Sequence, residues 1–380
     1  MKKIGLYVHI PFCAKKCDYC DFVSHCDKSN LIEEYIEKLK KEIESNLNNK
    51  EYEITTIYIG GGTPSFIDSK YIVDILEVIK SKIDLKDVEI TIEVNPGTVT
   101  KEKLLDYQNA GINRLSIGLQ ETNNELLKQI GRIHTYEELL ETYNLARNIG
   151  FKNINIDLMI GLPNQSIQNI KESLNKVISL NPEHISVYSL ILEEGTKLYQ
   201  KYENNEIELP DEELERNMYW YVKNTLENNG YNHYEISNFS KKGYESKHNL
   251  NCWEQKEYIG FGLNAHSYID GVRYSNTESL EEYIRGNQKG SDHFWSPRQV
   301  IHEKQTLEDM KKEYMLLGLR KIEGISIQKF EEKFVENPIF LFRNELNKLV
   351  EQDLLEVDGD IIKLTNKGLD LANLVWEEFV

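Results

Sequence analysis

The chain has 380 residues, 40% hydrophobic and 28% charged, so it can bury a large core and suits about two domains. A formal charge of −18 argues against a nucleic-acid partner, since phosphates would be repelled over most of the surface. No apolar run reaches the ~18 residues of a membrane span. The apolar stretch after Lys2-Lys3 is broken at His9 and Pro11, too soon for a signal peptide.

In chain order, short runs rich in Ile, Val, Leu and Tyr predict strands at Gly5–His9, Thr56–Ile59, Glu89–Val94, Asn113–Ile117, Asn153–Met159 and Ile185–Leu190. Each reads as a strand buried on both faces. Helical spacing lies between them, as in Tyr35, Leu39 and Ile43, or Ile72, Ile75, Leu76 and Ile79, or Leu139, Leu140 and Tyr143. Gly111 and Gly150 stand where helix C-caps would close two units. Six βα units in a row predict a parallel sheet, either doubly wound or closed into a full or partial barrel.

Asp211, after Pro210, is placed to N-cap a helix running to about Asn229. From there to about Ser296 the chain looks irregular and rich in Tyr, His and Asn, with aromatics that would permit a homodimer. From Leu307 helices lead to a hairpin, Leu354–Val357 and Ile361–Leu364 flanking Asp358-Gly359, with a last helix from Thr365. This is a winged-helix-like α+β pattern, but Leu341–Val350 is too mixed in charge for a DNA-reading helix and suits packing or a partner. The expected division is 1–209, 210–300 and 301–380.

Three of the five cysteines, Cys13, Cys17 and Cys20, lie within eight residues directly after the first strand. An odd, clustered set fits a metal site in a reducing compartment, the cytoplasm, better than a disulfide framework. Thiolates suit zinc or iron–sulfur clusters. Structural zinc needs four ligands, usually two separated pairs, which His9 and His25 would have to complete. Three thiolates on a four-iron cube leave one iron open for a ligand. Cys26 is read as a bystander.

At these residues the chain resembles the radical SAM superfamily, and more closely its oxygen-independent coproporphyrinogen III oxidase-like group. The signature is Tyr7-Val8-His9-Ile10-Pro11-Phe12-Cys13 through Cys20-Asp21-Phe22. The likeness continues at Gly60-Gly61-Gly62-Thr63-Pro64, Glu93-Val94-Asn95-Pro96, Ser116-Ile117-Gly118-Leu119-Gln120 and Asp157 through Pro163. It implies a partial (β/α)6 barrel with a C-terminal winged-helix-like domain, a [4Fe-4S] cluster on Cys13, Cys17 and Cys20, and S-adenosylmethionine (SAM) on the open iron. By the same resemblance Glu93 takes the SAM ammonium and Arg132 its carboxylate through a planar fork. Gln120 and Asp157 take the ribose hydroxyls, Tyr7 and Tyr19 line the site, and Gly61, Gly62 and Thr63 let the backbone approach the methionine moiety.

Within that group two functions compete: a heme chaperone that delivers heme to an acceptor protein, and a SAM-dependent decarboxylase acting on coproporphyrinogen III with an electron donor. Asp21-Phe22 stands where the decarboxylases carry one more cysteine, and only twelve residues precede Cys13. Lys247-His248-Asn249-Leu250-Asn251-Cys252-Trp253 resembles the chaperones' H-N-x-x-Y-W heme motif, with Cys252 in the Tyr place. His248 on a loop is the expected axial ligand, with Cys252 and His266 as rivals. Trp253 is the expected porphyrin contact, and Lys241, Lys242 and Lys247 would attract propionates. The acceptor implied is a respiratory enzyme. The heme chaperone is the favoured function.

Overall fold

The computed structural model describes residues 1–47, 52–286 and 299–380. Six strands run parallel in sequence order: β1 (Lys2–Ile10), β2 (Tyr52–Gly61), β3 (Glu89–Val94), β4 (Arg114–Gln120), β5 (Ile154–Ile160) and β6 (His184–Ser189). The helices Ile32–Asn46, Ser69–Lys82, Lys101–Asn109, Tyr136–Ile149 and Ile167–Leu180 connect them, as the periodicity requires. Gly150 closes one of these in the left-handed region, φ 114°. Inward residues of β2 through β6 reach one common cavity, so the sheet curls into a partial barrel.

Every strand of this barrel has two buried faces, but they differ in chemistry. Ile4, Leu6 and Val8, Ile57 and Ile59, Ile90 and Ile92, Leu115 and Ile117, Ile154 and Ile156 all join the core beneath the helices. The alternate positions are Gly5 and Tyr7, Thr56 and Tyr58, Thr91 and Glu93, Arg114 and Ser116, Asn155 and Asp157, His184 and Ser186. The strands are therefore not uniformly apolar as expected. Their inner wall is polar along its whole length.

The stretch after Pro210 is more regular than its composition suggests. Asp211 caps the helix Glu212–Asn228 through Leu214 N at 2.7 Å. Beyond it β7 (Asn232–Glu235) and β8 (Asn238–Ser240) extend the sheet antiparallel from β6. On the other edge β9 (Tyr258–Phe261) pairs parallel with β1, followed by antiparallel β10 (His266–Ile269), β11 (Val272–Asn276) and β12 (Gln299–Lys304). The result is one 12-stranded sheet, ordered β12-β11-β10-β9-β1-β2-β3-β4-β5-β6-β8-β7. Glu42, buried on the first helix, ties this extension down by accepting from Gly262 N, Asn276 Nδ2 and the Tyr283 hydroxyl.

The C-terminal segment builds a second core around Phe330, Leu349 and Ile362. Its sheet holds β13 (Ile325–Ser326), β14 (Leu355–Asp358) and β15 (Ile361–Leu364), ordered β13-β15-β14. The register pairs Asp358 with Ile361, so the hairpin turn is Gly359-Asp360, one residue later than expected. That slip frees the Asp360 carboxylate to accept from Ser326 Oγ and from Gln328 N at the start of a helix. Among the described residues no helix is long and apolar enough to cross a membrane.

Candidate functional site

The cysteine loop leaves the end of β1 and is pinned on several sides. Cys13 N donates to His25 O, Asp18 N to Ile130 O, and Leu198 N to the Asp18 carbonyl. The Asp18 carboxylate pairs with Lys201 Nζ at 2.6 Å. The Gly60–Gly62 run at the end of β2 lies against this loop. A Cβ at Gly61, whose φ is +113°, would stand 2.5 Å from the His9 ring, and one at Gly62 would stand 3.0 Å from Cys13 Sγ. These glycines are thus demanded first by the protein's own His9 and Cys13.

Cys13, Cys17, Cys20, Tyr19, Gly61, Gly62, Thr63, Glu93, Gln120, Arg132 and Asp157 all line one cavity of about 490 Å³. They come from six separate stretches of chain, so the barrel mouth assembles what the sequence scatters. Gln120 gets there by a bulge: the β4–β5 register shifts between Gly118 and Gln120, and Gln120 sits at φ +73°. A side chain held in that costly region and aimed into a cleft is a mark of function. Tyr7 is not on the wall. It lies one ring behind, stacked on Tyr58 at 6.4 Å and bonded to His9 Nδ1 at 2.9 Å.

Glu93 is half-buried at the cavity wall, accepts from the Tyr58 hydroxyl at 2.9 Å and from Gly61 N at 3.0 Å, and desolvation pushes its carboxyl up to about 7. Burial also raises Asp157, which accepts from Asn155 Nδ2 at 2.6 Å. Two carboxyls that resist ionisation in an enclosed pocket welcome a cationic ligand, which would stabilise their charged forms. Arg132 is largely committed already: Nη2 donates to Asn95 Oδ1 and to the Gly118 carbonyl, and Nη1 to Cys17 Sγ at 3.4 Å. That leaves Nε–H, buried without a partner, and one Nη1 proton for a ligand rather than an intact fork.

The donor set fits a cluster better than a single ion. Both nitrogens of His9 are engaged, with the Tyr7 hydroxyl and with Val23 O, so His9 cannot complete a zinc site. Among the described residues no three His, Cys, Asp or Glu side chains converge closely enough for one metal ion. Three thiols spread around a shared cavity suit a larger inorganic core.

The heme-motif segment departs from expectation. It is not a loop but the helix Lys247–Trp253, and His248 N donates to Glu89 at the start of β3, at the strand ends opposite the cysteines. His248 is buried, its Nδ1 bonded to Thr56 Oγ1 at 2.9 Å and its ring stacked on Tyr58 at 5.1 Å. Burial lowers His248 to about 4, so the imidazole is neutral. Trp253 presents its face to the Arg320 guanidinium, 4.5 Å away, and the Trp376 ring lies 4.4 Å from the same group. Lys241 is spent on the Asn181 carbonyl. Cys252 is half-buried, and His266 is exposed and stacked on His302 at 5.2 Å.

Residues 7–177 match the model of the radical SAM superfamily, and residues 305–371 match that of the HemN C-terminal domain. The heme chaperone HemW of Lactococcus lactis is 37% identical over 380 residues, covering 100% of this chain and 98% of that protein. HemW of Bacillus subtilis is 39% identical over 98% of both. This chain belongs to the HemW family. Among solved structures, coproporphyrinogen III oxidase (HemN) from Escherichia coli superposes with a TM-score of 0.84 over 100% of this chain and 90% of that one, at 24% identity, which speaks for the fold. A HemW-type radical SAM barrel followed by a HemN-type C-terminal domain accounts for both cores.

Several wall residues had drawn no role from the sequence. Tyr58, Ser116 and Tyr188 line the cavity and sit at every second position of their strands, a signal that alternation carries. Asn95 also lines it, one step past the strand end in the alternation of Thr91 and Glu93.

Proposed function

We propose that this protein is a cytoplasmic heme chaperone that holds a [4Fe-4S] cluster on Cys13, Cys17 and Cys20, binds SAM in the barrel cavity, and passes heme to an acceptor protein. The observation carrying this is full-length similarity to HemW chaperones at 37–39% identity. Asp21-Phe22 directly after the cysteine trio points the same way.

When bound, the cluster supplies one-electron reduction of the sulfonium. The chain's own groups do the rest. Glu93, held by Tyr58 and Gly61, takes the ammonium, and the unpartnered Arg132 N–H groups take the carboxylate. Gln120 and Asp157 take the ribose, with Tyr19 and Gly61-Gly62-Thr63 as walls. Heme is assigned to His248 and Trp253, and an electron donor and a respiratory acceptor are the expected partners.

Because free Glu93 sits at about 7 and must be charged to hold an ammonium, SAM should bind about tenfold more tightly at pH 8 than at pH 6. Equilibrium dialysis checks this, and Glu93→Gln should flatten the dependence while weakening binding at pH 8. The function itself is tested by adding heme to the purified, anaerobically prepared chain: a Soret shift with visible bands supports it. Conversion of coproporphyrinogen III to protoporphyrinogen IX with SAM and a reductant would instead establish the decarboxylase.

A further inference from the structure

Three polar side chains form one continuous bracket between two of the cluster thiols. Asn95 is its hub. Asn95 Nδ2 donates to Thr63 Oγ1 at 2.9 Å, and Thr63 Oγ1, its lone pair so occupied, donates its proton to Cys13 Sγ at 3.5 Å. On the other side Asn95 Oδ1 accepts from Arg132 Nη2 at 3.1 Å, and Arg132 Nη1 donates to Cys17 Sγ at 3.4 Å. Arg132 can only donate, so its partner on Asn95 is Oδ1, the Asn95 amide can be oriented only one way, and its Nδ2 faces Thr63 as donor. Its backbone is fixed too, with Asn95 N donating to Ser65 Oγ at 3.1 Å.

We propose that Thr63, Asn95 and Arg132 act as positioning residues that set the reduction potential of the cluster by directing hydrogen bonds, one of them charge-assisted, at Cys13 and Cys17. A reduced cluster carries one more negative charge, and donors to its sulfurs stabilise that charge and raise the potential. Arg132 is buried and its cation faces sulfur across a short gap, where low dielectric makes the bond count for more. Asn95 touches no sulfur, yet it decides where the Thr63 proton points. With Asp at 95 the Thr63 hydroxyl would turn to the carboxylate and abandon Cys13.

The inference rests on the cluster assignment above, and the two can fail separately. Wild-type chain that takes up no iron and sulfide sinks the assignment. The bracket is tested by anaerobic redox titration of reconstituted full-length variants, followed by electron paramagnetic resonance on the loaded fraction. Thr63→Val is expected to lower the ratio of reduced to oxidised cluster at fixed potential about tenfold, which is 59 mV for a one-electron couple. Thr63→Ser should restore the wild-type value, and Asn95→Asp should lower the ratio at least as far as Thr63→Val. Should Thr63→Val not load, Asn95→Asp against wild type carries the same criterion. Variants that lose iron while the remaining cluster titrates as wild type, or a Thr63→Ser as displaced as Thr63→Val, would overturn the proposal.

Discussion

Replacing Cys13, Cys17 and Cys20 together by serine is expected to bring iron and sulfide loading to background, and each single replacement to cut it more than about tenfold. The thiols share the cavity wall, but two of them sit where burial opposes ionisation. Burial pushes the Cys13 thiol up and the Cys20 thiol up to about 11. Metal must therefore displace protons to bind, and each serine removes a ligand whose charge the pocket cannot otherwise supply. Cys26, exposed and off the wall, is the control, and Cys26→Ser should load fully. Metal and sulfide analysis of anaerobically reconstituted chains decides it. Full loading of the triple variant would refute the ligand assignment.

Heme uptake should be slower than mixing, because His248 cannot meet iron where it now sits. Its ring is pinned between the Thr56 hydroxyl and the Tyr58 face, beneath the barrel floor. A hydrogen bond near 1 kcal/mol, a ring contact of about 1 kcal/mol and lost burial together make the unseated helix a state of roughly 1% population. Thr56→Val removes the hydrogen bond, worth about 1 kcal/mol, and should speed heme binding about fivefold in stopped-flow absorbance. His248→Ala should lower the final Soret amplitude severalfold. If His248→Ala keeps the full amplitude and spectrum, the ligand is elsewhere, and exposed His266 is next to be replaced.

The barrel was legible because its outer face follows simple rules. Ile90, Ile92 and Val94 on β3, or Ile154 and Ile156 on β5, are apolar at each helix-facing position, and all six parallel strands fall within a few residues of expectation. The cysteine trio and the residues at strand ends were legible through their shared location at one mouth. Three things were not. The continuation of the sheet through β7–β12 rests on short strands whose partners are distant in sequence, such as Tyr258 beside Gly5. The helical state of Lys247–Trp253 depends on Ser246 capping Asn249 N and on His248 finding Thr56, neither visible in a motif. The role of Asn95 is purely relational, since only the folded chain brings Thr63 and Arg132 to its two ends.

The polar inner wall has a consequence for how durable this protein can be. Thr91 Oγ1 and Arg114 Nε are buried there without a hydrogen-bond partner, so the chamber keeps groups that a tighter interior would replace. Valine at position 91 would relieve one of them and gain apolar contact, raising the melting temperature while drying and narrowing the space beneath the mouth. Heat tolerance and a roomy, wettable interior therefore pull against each other along the same strands, and selection for one should be seen as erosion of the other.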